Sequence, residues 1–161
     1  MSGSYTFRPV LWADRPLLAG WLAAPEVQQW WDGAVEPFDA ESFADSRVAR
    51  WIVSHEARPF GYIQDYDPQG WDGHPFAHLP LGSRGIDQFI GPDVMRGQGH
   101  GQGFISAHMD RLFSEGAPVI ATDPHPGNAR AIHVYESVGF SIEGPARMTQ
   151  WGLILPMTAH R

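Results

Sequence analysis

"MRGQGHGQG", residues Met95–Gly103, sets four glycines at alternate positions among an arginine, two glutamines and a histidine. A run this open is too flexible for a core element and too short for a linker. Its neighbours give it meaning. "RGIDQFIG" (Arg84–Gly91) before it reads as a strand, and "FISAHMDRLFSEG" (Phe104–Gly116) after it carries Ile105, Met109, Leu112 and Phe113 on one helical face. A strand, a glycine-rich turn and a helix start present backbone N–H groups to an anion, because the free amides of the first turn point outward and the dipole favours negative charge. Glycine lets the backbone approach a ligand and adopt positive φ. A Walker A loop is excluded, since no Gly-Lys-Ser/Thr closes the run, and a dinucleotide fingerprint lacks its first βαβ half. Taken alone, a glycine-rich loop before a helix is the plain alternative.

Composition narrows the classes. A chain of 161 residues suits one domain, residues 1–161, with a real core. Hydrophobic residues are 43% and charged residues 18%, which excludes a disordered chain. Seven tryptophans and nine phenylalanines exceed what such a core needs, so some are expected to line a concave site. No apolar run approaches the ~20 residues of a membrane span. "MSGSYTFRPV" (Met1–Val10) has no basic start or apolar h-region, so a cytoplasmic protein is expected. The absence of cysteine excludes disulfides and thiolate chemistry. A net charge of −7 argues against nucleic acid and favours a cationic partner, although it also simply aids solubility.

Along the chain, "YTFRPV" reads as an opening strand. "ADRPLLAGWLAA" reads as a helix with Asp14 able to cap it, "PEVQQWW" as a short second helix, and "FDAESFADSRVA" as a third candidate capped by Asp39. "RWIVSHEARPFGYIQDYD" reads as a hairpin turning at about Glu56–Pro59, followed by an irregular loop from Asp67 to Ser83. "PVIATD" is a buried strand, "NARAIHVYESVG" a helix closed by Gly139, and "FSIEG" and "RMTQWGLIL" are final strands. The predicted order is β-α-α-β-β-β-α-β-α-β-β, an α/β fold with a mixed sheet and helices on its faces.

A second segment, "TDPHPGNARAIHVYESVGF" (Thr122–Phe140), follows the glycine run by about thirty residues. Together, Arg96-x-x-Gly99-x-Gly101 and this segment resemble the GCN5-related N-acetyltransferase (GNAT) superfamily. That resemblance implies a mostly antiparallel mixed sheet flanked by helices. It implies that Arg96, Gly97, Gln98, Gly99, His100 and Gly101 hold the pyrophosphate of acetyl-coenzyme A, with Asn128 near the pantetheine arm. "RGIDQFI", the "TDP" segment and the early "EVQQWWDG" narrow the likeness, over about Phe7 to Leu155, to aminoglycoside 6'-N-acetyltransferases. The "FRPV…WL…V…WW" opening is also similar to siderophore-type lysine N-acyltransferases.

An alkylammonium must lose its proton before it attacks an acyl carbon. Asp87, in mid-strand between Ile86 and Gln88, matches the family's general base; the plain alternative is a partner for Arg84 or a wet sheet face. Tyr135 lies seven residues after Asn128, about two helical turns, so both can face the cofactor. Its hydroxyl matches the group that protonates the departing thiolate, and a main-chain N–H of the strand after Asp87 is expected to hold the oxyanion. The resemblance places Trp30, Trp31, Trp71, Asp72 and Asp123 around the acceptor, where indoles stack and carboxylates hold ammonium groups. Trp30 and Trp31 are equally explained as core anchors. His74 and His78 lie in a proline-containing loop without a third ligand, so no metal is expected.

The expected activity is acetyl transfer from acetyl-coenzyme A to a small cationic amine, by a monomer or homodimer that binds neither nucleic acid nor membrane. The loop from Gly73 to Arg84 has no carboxylate, which sets it apart from aminoglycoside-modifying relatives. A lysine-type amine, a protein N-terminus and a non-catalytic acyl-coenzyme A-binding module are the alternatives.

Overall fold

A computed structural model describes residues 4–31 and 39–161; Met1–Gly3, the Asp32–Gly33 end of "EVQQWWDG" and Phe38 lie outside the described residues. In chain order the elements are β1 (Tyr5–Pro9), α1 (Arg15–Leu22), α2 (Pro25–Trp30), α3 (Ala40–Ala44), β2 (Val48–His55), β3 (Arg58–Tyr66), β4 (Arg84–Ile90), α4 (His100–Ser114), β5 (Val119–Thr122), α5 (Ala129–Ser137), β6 (Ser141–Ile142), β7 (Arg147–Thr149), β8 (Gly152–Ile154) and β9 (Met157–His160). Seven strands form one sheet in the order β1-β2-β3-β4-β5-β9-β6, and β7 pairs with β8 as a separate hairpin. Every neighbour is antiparallel except β4 and β5. The fold class is the one expected, a mixed sheet flanked by helices.

The details depart from the sequence reading in four places. Asp14 does not cap α1 with its side chain; its carboxylate accepts from Arg8 at 2.7 and 2.8 Å and from the Leu11 N–H at 2.7 Å. The hairpin between β2 and β3 turns on Glu56 and Ala57 alone, both at positive φ. "RMTQWGLIL" is a hairpin off the main sheet rather than part of it. The strand that fills the sheet between β5 and β6 is β9, which the reading did not reach.

Alternation along the strands divides the core in two. Val53, Ile63 and Ile86 face α4, as does Phe60, the extra residue of a β-bulge opposite Val53–Ser54, and Phe104, Ile105, Met109 and Leu112 cover them. Ile52, Tyr62 and Phe89 face the other way, onto Leu18, Trp21 and Val27 of α1 and α2. Between β4 and β5 the pairing is short. Arg84 meets Ile120 and Gly85 meets Ala121, and there the ladder ends. The Thr122 hydroxyl donates to the Ile86 carbonyl at 3.1 Å, and past it the two strands part. Gly85 is required at this junction, because a Cβ there would stand 2.2 Å from the Tyr66 ring that lies over it.

A buried ion cluster ties the sheet to α4. The Asp65 carboxylate on β3 accepts from Arg84 at 2.5 Å, from His108 Nε2 at 2.9 Å and from Trp51 Nε1 at 3.0 Å. His108 is fully buried and its Nδ1 has no partner among the described residues, so a proton on Nε2 leaves only a lone pair unsatisfied there. Burial acts to raise the Asp65 pKa, but the hydrogen bonds from His108 and Arg84 outweigh it and hold the carboxyl below its usual range. Breaking such a cluster from one side leaves buried charge unpaired, so Asp65→Ala should lower the unfolding free energy by about 3 kcal/mol or more. The depressed pKa sets the sign of the pH dependence. The carboxylate's contribution is complete above the unfolded value of about 4 and is lost as pH falls through the lower folded value. Urea denaturation of both proteins, with the difference between them shrinking as the pH is lowered, checks this.

Candidate active site

The gap between β4 and β5 opens on both faces of the sheet. Two cavities, of about 850 and 510 Å³, meet at Asp87 and Asp123 and share the rings of Trp30, Trp31 and His125. The larger runs from the turn before α4 to the start of α5, past Gly97, Gly99, Gly101, Asn128 and Tyr135. The smaller lies on the α2 side, walled by Trp71, His74 and Trp151.

The glycine run splits between turn and helix. Gly97 (φ 72) and Gly99 (φ 83) hold left-handed conformations, and Gly99 is the residue that caps α4. A Cβ at either would meet no atom of the described residues within 4 Å, which leaves space beside them for a ligand. Gly101 is instead in the first turn of α4 at an ordinary φ, so close approach rather than positive φ is what it can offer. Arg96 lines the same cavity, with its guanidinium turned to protein partners. Its guanidinium donates to the Ile90 and Gly91 carbonyls at 2.8 Å each and pairs with Glu26 at 3.2 Å and with Asp93. It therefore braces the turn. Gln98 bonds back to the Val94 carbonyl and lies outside the cavity wall, where Gln102 stands. His100 lines the cavity, with its Nδ1 2.9 Å from the Tyr5 hydroxyl.

Asn128 caps α5, its Oδ1 accepting from the Ala131 N–H at 3.2 Å. Two turns on, Tyr135 is buried, and the Gln88 amide donates to its hydroxyl at 3.3 Å. Burial pushes this phenol up to about 12. It is an acid throughout the neutral range.

Asp87 points to the opposite face from Gln88. Its carboxyl accepts from Gln64 Nε2 at 3.0 Å and is hydrogen-bonded to Asp123, which directly follows β5. Arg84, the alternative partner weighed from the sequence, is bound to Asp65 instead. Burial raises Asp87, and burial together with the charge of Asp87 raises Asp123 well above the carboxylate range. Two carboxyls in contact cannot both ionise cheaply, so the pair keeps one proton and one negative charge.

Of the expected acceptor residues, Trp30, Trp31, Trp71 and Asp123 line the smaller cavity. Trp31 is also a core anchor, edge-on to Tyr62 and Phe89 at 5.7 and 5.0 Å. Asp72 is exposed and lines neither cavity. The chain turns at Gly73 (φ 71), which sends the rings of Trp71 and His74 inward and leaves Asp72 at the apex in solvent. Sequence reasoning missed Gln64, His125 and Trp151. Trp151 sits at the tip of the β7–β8 hairpin with its ring 4.9 Å from that of His74. Among the described residues, no three His, Asp or Glu side chains are placed to hold a metal ion.

A split mixed sheet with a glycine turn at the mouth of the split, a phenolic acid in it and a carboxyl pair beyond it defines an acyltransferase. The GNAT acetyltransferase domain matches residues 11–148, and the chain belongs to this family. Aminoglycoside N(6')-acetyltransferase type 1 of Klebsiella pneumoniae is 32% identical over 152 residues, covering 88% of this chain and 76% of its own length. Among solved structures, AAC(6')-Ib in complex with paromomycin and acetyl-coenzyme A has a TM-score of 0.89 at 32% identity, covering 98% of this chain and 94% of that one. AAC(6')-Ib with coenzyme A and kanamycin gives 0.87 at 31% identity, with 98% and 95% covered.

The raised carboxyl predicts a stability effect with a definite sign. A group whose folded pKa lies above its unfolded value supports folding below the unfolded value, and that support is lost as pH rises through the folded value. Asp123→Asn keeps a donor for Asp87 and removes the acid. It should raise the urea midpoint at about pH 8 and leave it unchanged at about pH 4.

Proposed function

We propose that the protein transfers the acetyl group of acetyl-coenzyme A to a primary amine of a small cationic acceptor, with an aminoglycoside 6'-amine as first choice. The observation that carries this is the Asp87–Asp123 pair at the point where two cavities meet, with Tyr135 across the split. The larger cavity fits the cofactor: its glycine turn leaves backbone amides beside open space at a helix N-terminus, where a pyrophosphate is favoured. Gly97, Gly99 and Gly101 would border the pyrophosphate, and Asn128 and Tyr135 the end that bears the thioester. When bound, acetyl-coenzyme A supplies an activated acetyl carbon.

Within this reading each group has one task. The single negative charge of the carboxyl pair draws in the ammonium, and Asp87 takes its proton so that the neutral nitrogen can attack. The C–N bond forms and the C–S bond breaks. Tyr135, whose oxygen accepts from Gln88, gives its proton to the departing sulfur; the second proton, shed by the nitrogen as the amide forms, leaves to solvent, from which the phenol is reprotonated. On the split side β4 has no strand partner beyond Gly85, which leaves main-chain N–H groups there to face the carbonyl oxygen. The expected unit is a single domain, with a net charge of −7 that favours a cationic acceptor.

A second acceptor class is favoured by the wall of the smaller cavity. Trp30, Trp31, Trp71, His74 and Trp151 face it, and Asp87 and Asp123 are its only carboxyls among the described residues. One negative charge inside an aromatic wall also suits an amine with a single positive charge on a flat or apolar body, such as a lysine-type amine. Thiol release measured with kanamycin, an N6-substituted lysine and an aromatic monoamine ranks these acceptors. Release with none of them, in protein that binds acetyl-coenzyme A, would mean a binding module without turnover.

Two variants test the assignments. Asp87→Asn should leave acetyl-coenzyme A affinity nearly intact and reduce turnover by ~10²–10⁴-fold, the range for loss of a general base. Full activity at every pH would place the base elsewhere. Gly99→Val adds bulk to the open side of the cradle at a residue with φ 83. Calorimetry should show at least a tenfold loss of acetyl-coenzyme A affinity, as ~1.4 kcal/mol of lost contact requires; unchanged affinity in folded protein removes the cradle.

A further inference from the structure

We infer that Gln64 is a positioning residue that decides which carboxyl of the pair keeps the proton, holding the charge on Asp87 and the proton on Asp123. The inference rests on the reading of Asp87 as the group that takes the proton of the amine.

Gln64 on β3 stands directly opposite Asp87 on β4 in the sheet register. Both ends of its amide are engaged. The Tyr62 hydroxyl donates to Gln64 Oε1 at 2.6 Å, a separation usual for O–H···O and short for N–H···O. That contact sets the orientation of the amide. With Oε1 on Tyr62, Nε2 faces Asp87 Oδ2 at 3.0 Å and can only donate. A fixed donor favours the ionised carboxyl.

Asp123 has no equivalent side-chain donor among the described residues. Among the described residues, its carboxyl meets only Asp87 and its own main chain. The relay is polarised from behind, since Arg50 stands beside the fully buried Tyr62 hydroxyl. The order is therefore Arg50, Tyr62, Gln64, Asp87, Asp123, with every link directed toward negative charge on Asp87. The other groups facing the pair do not reverse this asymmetry. Tyr66 and Tyr135 present buried phenols on either side, Asp65 is paired with Arg84 and hydrogen-bonded to His108 on the far face, and His74 and His125 stand on the cavity wall. Burial raises both carboxyls; the Gln64 amide opposes the rise at Asp87 and the main-chain N–H of Asp123 opposes it at Asp123, while the charge of Asp87 adds to the rise of Asp123 alone.

The consequence is a base whose identity is fixed before the acceptor arrives. A pair with its proton on Asp87 would present the amine with a neutral acid at the attacking position. Without Gln64 the two carboxyls compete for the proton, Asp87 is ionised for a smaller fraction of the time, and its pKa rises. Activity that needs ionised Asp87 then begins at higher pH.

The test reads the proton directly and through catalysis. Aspartate carboxyls are labelled with carbon-13, assigned through Asp87→Asn and Asp123→Asn, and titrated by NMR in protein without ligands. Asp123 should lose its proton at higher pH than Asp87, and Gln64→Met should narrow or invert that order. In the thiol-release assay with the best amine, the acidic limb of the kcat/KM profile should move up by about one pH unit in Gln64→Met, the size of one hydrogen bond to a charged group. Acetyl-coenzyme A affinity should not change. Gln64→Glu, which keeps the shape and sets a second acceptor against Asp87, should move the limb further, and Tyr62→Phe should move it less. A merely structural role lowers the rate evenly and leaves the limb in place. A wild-type protein with the proton on Asp87, or a limb unmoved in both Gln64 variants, overturns the proposal. The NMR titration needs no turnover, so failure to acetylate any amine would defeat the acetyltransferase reading without deciding this one.

Discussion

The site exists because β4 and β5 are parallel neighbours that pair at two positions and then separate. A fully paired sheet would satisfy the backbone of β4 from Ile86 to Ile90 and leave no passage from one face to the other. The early end of the ladder creates that passage at the cost of exposed main-chain groups, which is tolerated where a ligand or water supplies the missing partners. The junction is held from three sides. Tyr66 covers Gly85, the Thr122 hydroxyl takes the Ile86 carbonyl, and Arg96 takes the Ile90 and Gly91 carbonyls at the far end of the strand. Each of these fixes β4 without crossing the gap beyond Thr122. Residues on opposite faces, such as Asp87 and Tyr135, can then act on one reacting centre.

Two carboxyls one strand apart show how the environment sets their task. Asp65 on β3 is buried and Asp87 on β4 is half-buried, and the two lie on opposite faces of the sheet. Asp65 meets Arg84, His108 and Trp51, three donors that keep it ionised and bind two strands to α4. Asp87 meets one neutral amide and a second carboxyl, an arrangement that leaves its charge available to an incoming cation. A salt bridge to Asp87 would make a better-satisfied fold and a poorer base. Arg84 lies only three residues away along the same strand, and the odd spacing sends it to the other face. Strand alternation thus separates the structural carboxylate from the one proposed as the base.

Much of this was legible locally. The strand, the glycine turn and the amphipathic helix that follow one another from Arg84 to Ser114 are set by short-range pattern, as are the Asn128 cap and the two-turn spacing to Tyr135. What escaped the reading depends on long-range pairing. Nothing near "PMTAH" says that β9 inserts beside β5, because β5 lies about 40 residues back along the chain. Trp151 was read as part of a strand because the turn between Thr149 and Gly152 lacks an obvious two-residue signal. Asp72 was placed at the acceptor by its position in a family-like segment, and one left-handed glycine turned it to solvent. The side chain of Arg96 matched the motif, yet the backbone carbonyls it braces could not be foreseen from spacing. Gln64 carries no signature, because its importance is a register relation to Asp87 across two strands.

The acceptor wall has a different origin from the reacting centre. Asp87, Asp123 and Tyr135 come from elements locked in the main sheet and α5, whereas Trp71 and His74 come from the long loop before β4 and Trp151 from a hairpin outside the sheet. Loops on a rigid scaffold change without disturbing the core beneath them. The wall can therefore be rebuilt while the proton chemistry stays the same, and the two make separable demands on the chain. Deprotonating an amine requires one well-defined charge in a shielded place; holding the rest of the acceptor requires only surface of the right shape and polarity. Here that surface is made of indole and imidazole rings, which offer stacking area in place of further carboxylates. Shared chemistry with relatives that bind aminoglycosides is thus compatible with an acceptor preference of its own, because the carboxyl pair proposed to carry the reaction and the rings proposed to meet the acceptor's far end belong to different layers of the fold.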